Sequence, residues 1–245
     1  MKNNPKVSII TVCFNHAEDL EKTIKSVSNQ TSKDYEYLVI DGGSTDGNVE
    51  LALRFKQSID YFVSEKDTGV YNAMNKGARK AYGDYLYFLN AGDIFESEDT
   101  LGKVIKELDN VDMLYGNIRI VSKDKKKNIV KKKILNRQDI KLGKKVSQQI
   151  VFVKRDLFNK VGGLDERYKI AADFDLLCKV FENTDNIKHI DEVICDYDDG
   201  GISSNLRKSY DDTGRVIRER YGSGNYLLYM LITRLKLIVA RFIGK

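Results

Sequence analysis

Apolar and polar positions follow two regimes along this chain, and the change between them marks its elements. Lys6-Val-Ser-Ile-Ile-Thr-Val-Cys13 is a continuous β-branched run, the mark of a strand buried on both faces. Polar starters from Asn15 to Asp19 follow, and then Leu20, Ile24 and Val27 recur at helical spacing up to Gln30. Tyr35-Glu-Tyr-Leu-Val-Ile40 predicts a second strand that runs into the turn-rich Asp41-Gly-Gly-Ser-Thr-Asp-Gly47. A helix over about 48–58, a short strand at 61–63, a helix over 68–81 and a strand over 84–89 complete the first half. This β-α-β-α-β alternation with short loops predicts an α/β fold with a mostly parallel central sheet flanked by helices.

The middle of the chain changes character. Met113–Val121 and Ile129–Leu135 read as two strands of a basic β-hairpin around Ser122-Lys-Asp-Lys-Lys-Lys-Asn128. Its lysines fit a solvated surface, and attraction to phospholipid or to an acceptor phosphate is the sharper alternative. A short helix over 155–163 leads into a glycine pair. In the helix over 172–181, Leu176, Leu177, Val180 and Phe181 form the inward stripe. The tail from Asn225 to Lys245 is apolar but interrupted by Arg234, Lys236 and Arg241. A membrane span needs about 20 apolar residues with few charges. The tail therefore reads as a helix docked on the domain or lying at a membrane surface. The division expected is a catalytic domain over 1–205 and a C-terminal helical extension over 206–245.

Composition narrows the classes. The 245 residues are 42% hydrophobic and 31% charged with a net charge of +5, an ordinary globular chain whose modest excess suits an anionic partner without requiring nucleic acid. Three widely spaced cysteines and two histidines argue against a zinc site or a disulfide framework. A reducing compartment and the absence of a signal-like apolar start suggest a cytoplasmic protein, placed at the inner face of the plasma membrane.

In an open parallel sheet, ligands bind beyond the carboxyl ends of the strands. Three polar clusters fall there: Phe14-Asn15, Asp41-Gly-Gly-Ser-Thr-Asp46 and Asn90-Ala-Gly-Asp93. Strand-end acids can hydrogen-bond a ribose or a base, and glycines let backbone approach a ligand. A carboxylate at Asp93, beside Gly92, can hold a hard divalent cation that shares phosphate oxygens. It can also cap a helix at Ile94-Phe95. Asp173 and Asp175 stand two apart at a helix start and point in different directions. One of them is expected at the site, and the other in a structural role.

The motifs Val7-Ser-Ile-Ile-Thr-Val-Cys-Phe-Asn15, Tyr37-Leu-Val-Ile-Asp-Gly-Gly-Ser-Thr-Asp-Gly47, Asp67-Thr-Gly-Val-Tyr-Asn-Ala-Met-Asn-Lys-Gly77, Phe88-Leu-Asn-Ala-Gly-Asp93 and Ala172-Asp-Phe-Asp-Leu176 appear in one order. Together they resemble the family-2 glycosyltransferases of bacterial surface-polysaccharide biosynthesis, over roughly residues 5–205. The resemblance implies the GT-A fold, a Rossmann-like arrangement. It places Val12, Phe14, Asn15, Asp41, Asp67 and Gly92 around the nucleotide, with Phe14 beside a uracil and Asp41 contacting the base. It makes Asp93 the ligand of Mn2+ or Mg2+ on the diphosphate, and Asp173 the general base. Asn90 and Gly92 stand where many members carry aspartates, Asn72 at an often acidic position, and Gln148-Gln149 where a His-Gln pair is common. Gly200-Gly-Ile-Ser-Ser204 resembles a loop that closes near the diphosphate.

The activity implied is metal-dependent inverting transfer of a hexosyl or N-acetylhexosaminyl group from a nucleotide sugar, UDP-linked, to a hydroxyl of a glycan or lipid-linked acceptor. Peripheral membrane contact through the tail and basic hairpin accompanies it as an expectation. The position after the first strand, Phe14-Asn-His-Ala-Glu18, lacks the glycine and lysine of a phosphate loop. That argues against a nucleotidyltransferase or a dinucleotide-binding dehydrogenase. A non-catalytic nucleotide-sugar-binding or membrane scaffold is the remaining alternative.

Overall fold

The β-branched run near the start forms β1 (Val7–Cys13), buried along its whole length. It pairs in parallel with β2 (Tyr35–Asp41) on one side and β4 (Tyr85–Phe88) on the other, and β3 (Tyr61–Ser64) extends the sheet beyond β2. The connecting helices α1 (Ala17–Ser28) and α3 (Val70–Lys80) lie close to where the periodicity put them, and α2 (Asn48–Arg54) starts as expected but ends four residues early. Gly77 is needed for close packing of α3 on the sheet. A Cβ there would lie 2.5 Å from Ile10 Cγ2 and 3.2 Å from Ile40 Cγ1. The computed structural model describes residues 4–121, 127–132, 134–198 and 206–242.

Beyond β4 the sheet becomes mixed. In chain order the second half contains β5 (Ile94–Phe95), α4 (Thr100–Glu107), β6 (Met113–Val121), β7 (Lys127–Val130), α5 (Arg137–Lys141), β8 (Val151–Lys154), α6 (Arg155–Lys160), α7 (Ala172–Asn183), β9 (Ile187–Asp198) and α8 (Leu206–Phe242). The order across the sheet is β3-β2-β1-β4-β8-β6-β9-β5, with β7 paired to β6. The β4–β8 and β8–β6 pairs are antiparallel, whereas β6 and β9 are parallel. The expected α/β architecture holds, and its parallel character is concentrated in the first half.

Several boundaries differ from the sequence pattern. The strand expected over Ile129–Leu135 ends at Val130, because the Lys132 amide donates to Asn117 Oδ1 instead of continuing the ladder. Asn136 then starts α5 with a capping box to Asp139. Val121 pairs with Lys127 in the antiparallel β6–β7 pair. The loop at 122–126, with Lys125, and the segment Gly200–Ser204 lie outside the described residues. The pair Ile94-Phe95 is a strand, so Asp93 does not cap a helix there.

Part of the stretch expected as an extension over 206–245 packs into the common core. Val216 and Ile217 of α8 are fully buried in the common core. Arg220 of the same segment reaches Asp175 of α7. The structural break comes at Gly222, whose φ of 82° and ψ of 173° interrupt the helix. Tyr229 donates to the Tyr210 carbonyl, and its ring lies near Gly214. Segment 223–242 therefore folds back on 206–221. Leu176, Leu177, Val180 and Phe181 are buried, as their helical spacing predicts.

Candidate functional site

The parallel register aligns the carboxyl ends of three strands: Cys13 lies beside Asp41, and Asp41 beside Ser64. Asp41 has no exposed surface, and its carboxylate is fully engaged. Oδ2 accepts from Gly43 N at 3.0 Å, Ser44 N at 2.9 Å and Ser64 Oγ at 2.6 Å. Oδ1 accepts from the Ser44 hydroxyl and from Asn48 Nδ2. Burial raises the carboxyl pKa, but the hydrogen bonds from Ser44, Ser64 and Asn48 outweigh it and hold the group below its ordinary range. Burial and the neighbouring Asp41 charge push the Cys13 thiol up, so it is no nucleophile. Asp41, expected beside the base, accepts hydrogen bonds here that shape the 42–48 loop.

That loop is tied to the one after β1. Asn15 adopts a left-handed φ of 52°. Its amide donates to Ser44 Oγ at 2.8 Å and its Oδ1 accepts from Thr45 N at 2.9 Å. Asp46 Oδ2 accepts from Ala17 N in the first turn of α1, where the helix dipole favours an anion. Asn15 is thus a linker between loops. Val12 is buried, and its carbonyl accepts from Ala91 N, so its part is to place backbone.

Phe14 and Asp67 meet above Gly42. A Cβ on Gly42 would lie 2.6 Å from Asp67 Oδ2 and 3.2 Å from Phe14 Cδ2, so only glycine leaves both side chains their places. Asp67 Oδ1 also accepts from Gly69 N at the start of α3. Phe14 is 56% exposed. An open aromatic face beside a carboxylate, walled by backbone, suits a planar base and a ribose hydroxyl.

The Asn90–Asp93 turn closes on the other flank of β1. Asp93 N donates to the Asn90 carbonyl, and Gly92, at φ 99°, donates to Thr23 Oγ1 of α1. Asp93 is buried, and its charge reaches Tyr87 and Cys195, whose pKa values rise first through burial. Asn90 Oδ1, on the same turn, is buried with no donor among the described residues. The turn therefore carries an unsatisfied acceptor oxygen and a carboxylate. Among the described residues no three His, Cys, Asp or Glu side chains gather into a full cage. This donor set fits a hard cation that takes one or two protein oxygens and completes its shell from phosphates and water.

Asp173 and Asp175 divide as their spacing requires. Asp175 is 1% exposed and ion-paired with Arg220 at 2.6 Å and Lys179 at 2.8 Å. Asp173 is half-buried, accepts from Phe174 N, and lines a cleft with Gln148, Met113, Val146, Val151 and Leu177. Gln148 Nε2 is buried there with no partner among the described residues. Tyr71, two residues beyond Gly69, donates to the Ile170 carbonyl at 2.6 Å. Burial, then the charge of Asp173, raises its pKa. Asp173 thus lies near the first turn of α3, whose preceding loop carries Asp67.

Sequence reasoning missed the framework holding these parts. Glu166 accepts from Asn72 Nδ2 and Asn75 Nδ2, both at 3.0 Å, tying the loop before α7 to α3. An acid at position 72 would face Glu166 as a like charge, which accounts for the asparagine. Asp212 Oδ2 accepts from Ile170 N and Ala171 N. The glycine pair before Leu164-Asp-Glu166 was the available signal for the first, whereas nothing local announces the second.

A family model described as "Glycosyl transferase family 2" matches residues 8–163. A "PGL/p-HBAD biosynthesis glycosyltransferase" of Mycobacterium bovis is 31% identical over 210 residues, covering 82% of this chain and 80% of that protein. Staphylococcus aureus TarS 1-349 in complex with UDP-GlcNAc superposes with a TM-score of 0.71 at 18% identity, over 86% of this chain and 65% of that one. The mannosyltransferase PcManGT from Pyrobaculum calidifontis, in complex with GDP-Man and Mn2+, gives 0.69 at 18% identity over 91% and 66%. At those identities the two structures establish the likeness of fold.

Proposed function

The chain belongs to glycosyl transferase family 2, and from that premise we propose that it moves a sugar from a UDP-linked donor to an acceptor hydroxyl with inversion. One observation carries this reading: Asp173 of α7 is half-buried, lines a small apolar pocket, and lies near Tyr71 in the first turn of the helix that Asp67 precedes. The base stacks on Phe14, a ribose hydroxyl donates to Asp67, and Asp41 keeps the intervening loop in shape. When bound, a manganese or magnesium ion held by Asp93 and Asn90 would offset negative charge on the departing diphosphate. Asp173 Oδ2 takes the proton of the acceptor hydroxyl as its oxygen attacks the anomeric carbon, a contribution on the order of 10²–10⁴-fold. Attack from the face opposite the leaving group inverts that carbon.

The acceptor is a hydroxyl on a glycan or lipid-linked intermediate of surface glycan synthesis. The similarity to a PGL/p-HBAD biosynthesis glycosyltransferase supports this. The experiment is a panel of nucleotide sugars assayed for nucleoside diphosphate release, with wild type and Asp173→Asn side by side. Slow metal-dependent hydrolysis of one donor, lost in the variant, is the expected result. Release from no donor by a folded wild type, or wild-type turnover by a folded variant, would overturn the proposal.

A further inference from the structure

Segment 223–242 presents two unlike faces. One side is docked: Tyr229 and Thr233 are buried, and Tyr229 sits against Gly143, where a Cβ would lie 2.5 Å from its ring. The other side exposes Leu227, Leu228, Leu231 and Leu235 at 66%, 45%, 57% and 53%. At helical spacing these four fall within an arc of about 100°, a continuous apolar stripe instead of scattered surface leucines. Arg234 is exposed at its edge. In sequence, residues 223–245 contain Arg234, Lys236, Arg241 and Lys245 and no aspartate or glutamate. Among the described residues no helix is long and apolar enough to cross a membrane.

We infer that this leucine stripe is a docking face for an anionic phospholipid surface, on which segment 223–242 lies flat. The leucines enter the headgroup boundary while Arg234 at their edge meets lipid phosphates, a pairing that an uncharged protein groove would not reward. Segment 206–221 grips α7 through Arg220 and Asp212. The docked surface and the cleft at Asp173 are therefore parts of one packed unit.

Co-sedimentation of the full chain with vesicles of phosphatidylcholine alone, or mixed with phosphatidylglycerol, tests this at low and high salt. Binding to the anionic vesicles, weakened by salt, is expected. The double variant Leu227→Glu, Leu231→Glu should lose more than about tenfold of that binding, and Arg234→Gln about fivefold. Both should keep donor hydrolysis, since these side chains are exposed and outside the cleft. Failure of the wild type to bind anionic vesicles would overturn the inference. So would a lipid-free dimer that the leucine substitutions dissociate, because the stripe would then belong to a second copy.

Discussion

Arg220 donates from Nε to Oδ1 of Asp175 across 2.6 Å, joining the C-terminal helix to the helix that carries Asp173. The same helical segment supplies Asp212, whose Oδ2 takes the amides of Ile170 and Ala171, two residues before Asp173. From the opposite side, Asn72 and Asn75 hold Glu166. The proposed base thus stands on a backbone fixed from both directions, and orientation of this kind is what a proton-accepting group needs.

The two acids of α7 should fail in different ways. Asp173→Asn keeps the fold and donor KM but lowers kcat by on the order of 10²–10⁴-fold, read by steady-state transfer kinetics. Asp175→Asn leaves Arg220 and Lys179 without their buried counter-charge and costs roughly 2–3 kcal/mol in urea unfolding. Equal stability of the two variants would contradict the division.

Asp212→Ala acts through backbone. It frees two amides and lets the first turn of α7 wander, so kcat falls about tenfold with little change in donor KM. Asp212→Asn, which keeps an acceptor oxygen, recovers part of the loss. A purely structural role would lower stability without this difference between the two substitutions.

Gly42→Ala forces the Asp67 carboxylate and the Phe14 ring to move, since the new Cβ overlaps the end of a flexible side chain. Stability should hold to within about 1 kcal/mol, while donor KM rises about tenfold. Isothermal titration with the nucleoside diphosphate separates the two effects.

Two other glycines give opposite signs on stability. Gly143→Ala meets the Tyr229 ring at 2.5 Å from a backbone at φ 76°, and should cost about 2–3 kcal/mol. Gly102 lies within α4, and its Cβ would find only ordinary contacts at 3.7 and 4.0 Å. Gly102→Ala should therefore stabilise by about 0.5–1 kcal/mol. Thermal melts of the pair check both.

Acid stability should report Asp41. Its folded pKa lies below the ordinary carboxylate value, so on acidification the unfolded chain takes up the proton first. The contribution is complete above about pH 4 and is lost as pH falls through the lower folded value. Asp41→Asn should be less stable at neutral pH and show a flatter acid limb in urea unfolding followed against pH.

The first half of the sheet was legible because buried parallel strands and their helices are written locally, in runs such as 7–13 and 35–41 and in the spacing of Leu20, Ile24 and Val27. The strands at 151–154 and 187–198 were not, because their places depend on pairing with residues far along the chain. The candidate site divides in the same way.

Sequence alone determined that Asp173 and Asp175 must face apart, since helical geometry allows nothing else. It also placed polar loops at the ends of three strands. Only the tertiary structure decided which acid is buried, because Arg220 lies 45 residues away. Only folding turned Asp41 inward, through Ser64 on the neighbouring strand. A local pattern sets direction and periodicity, whereas burial and charge partners arise when distant segments meet.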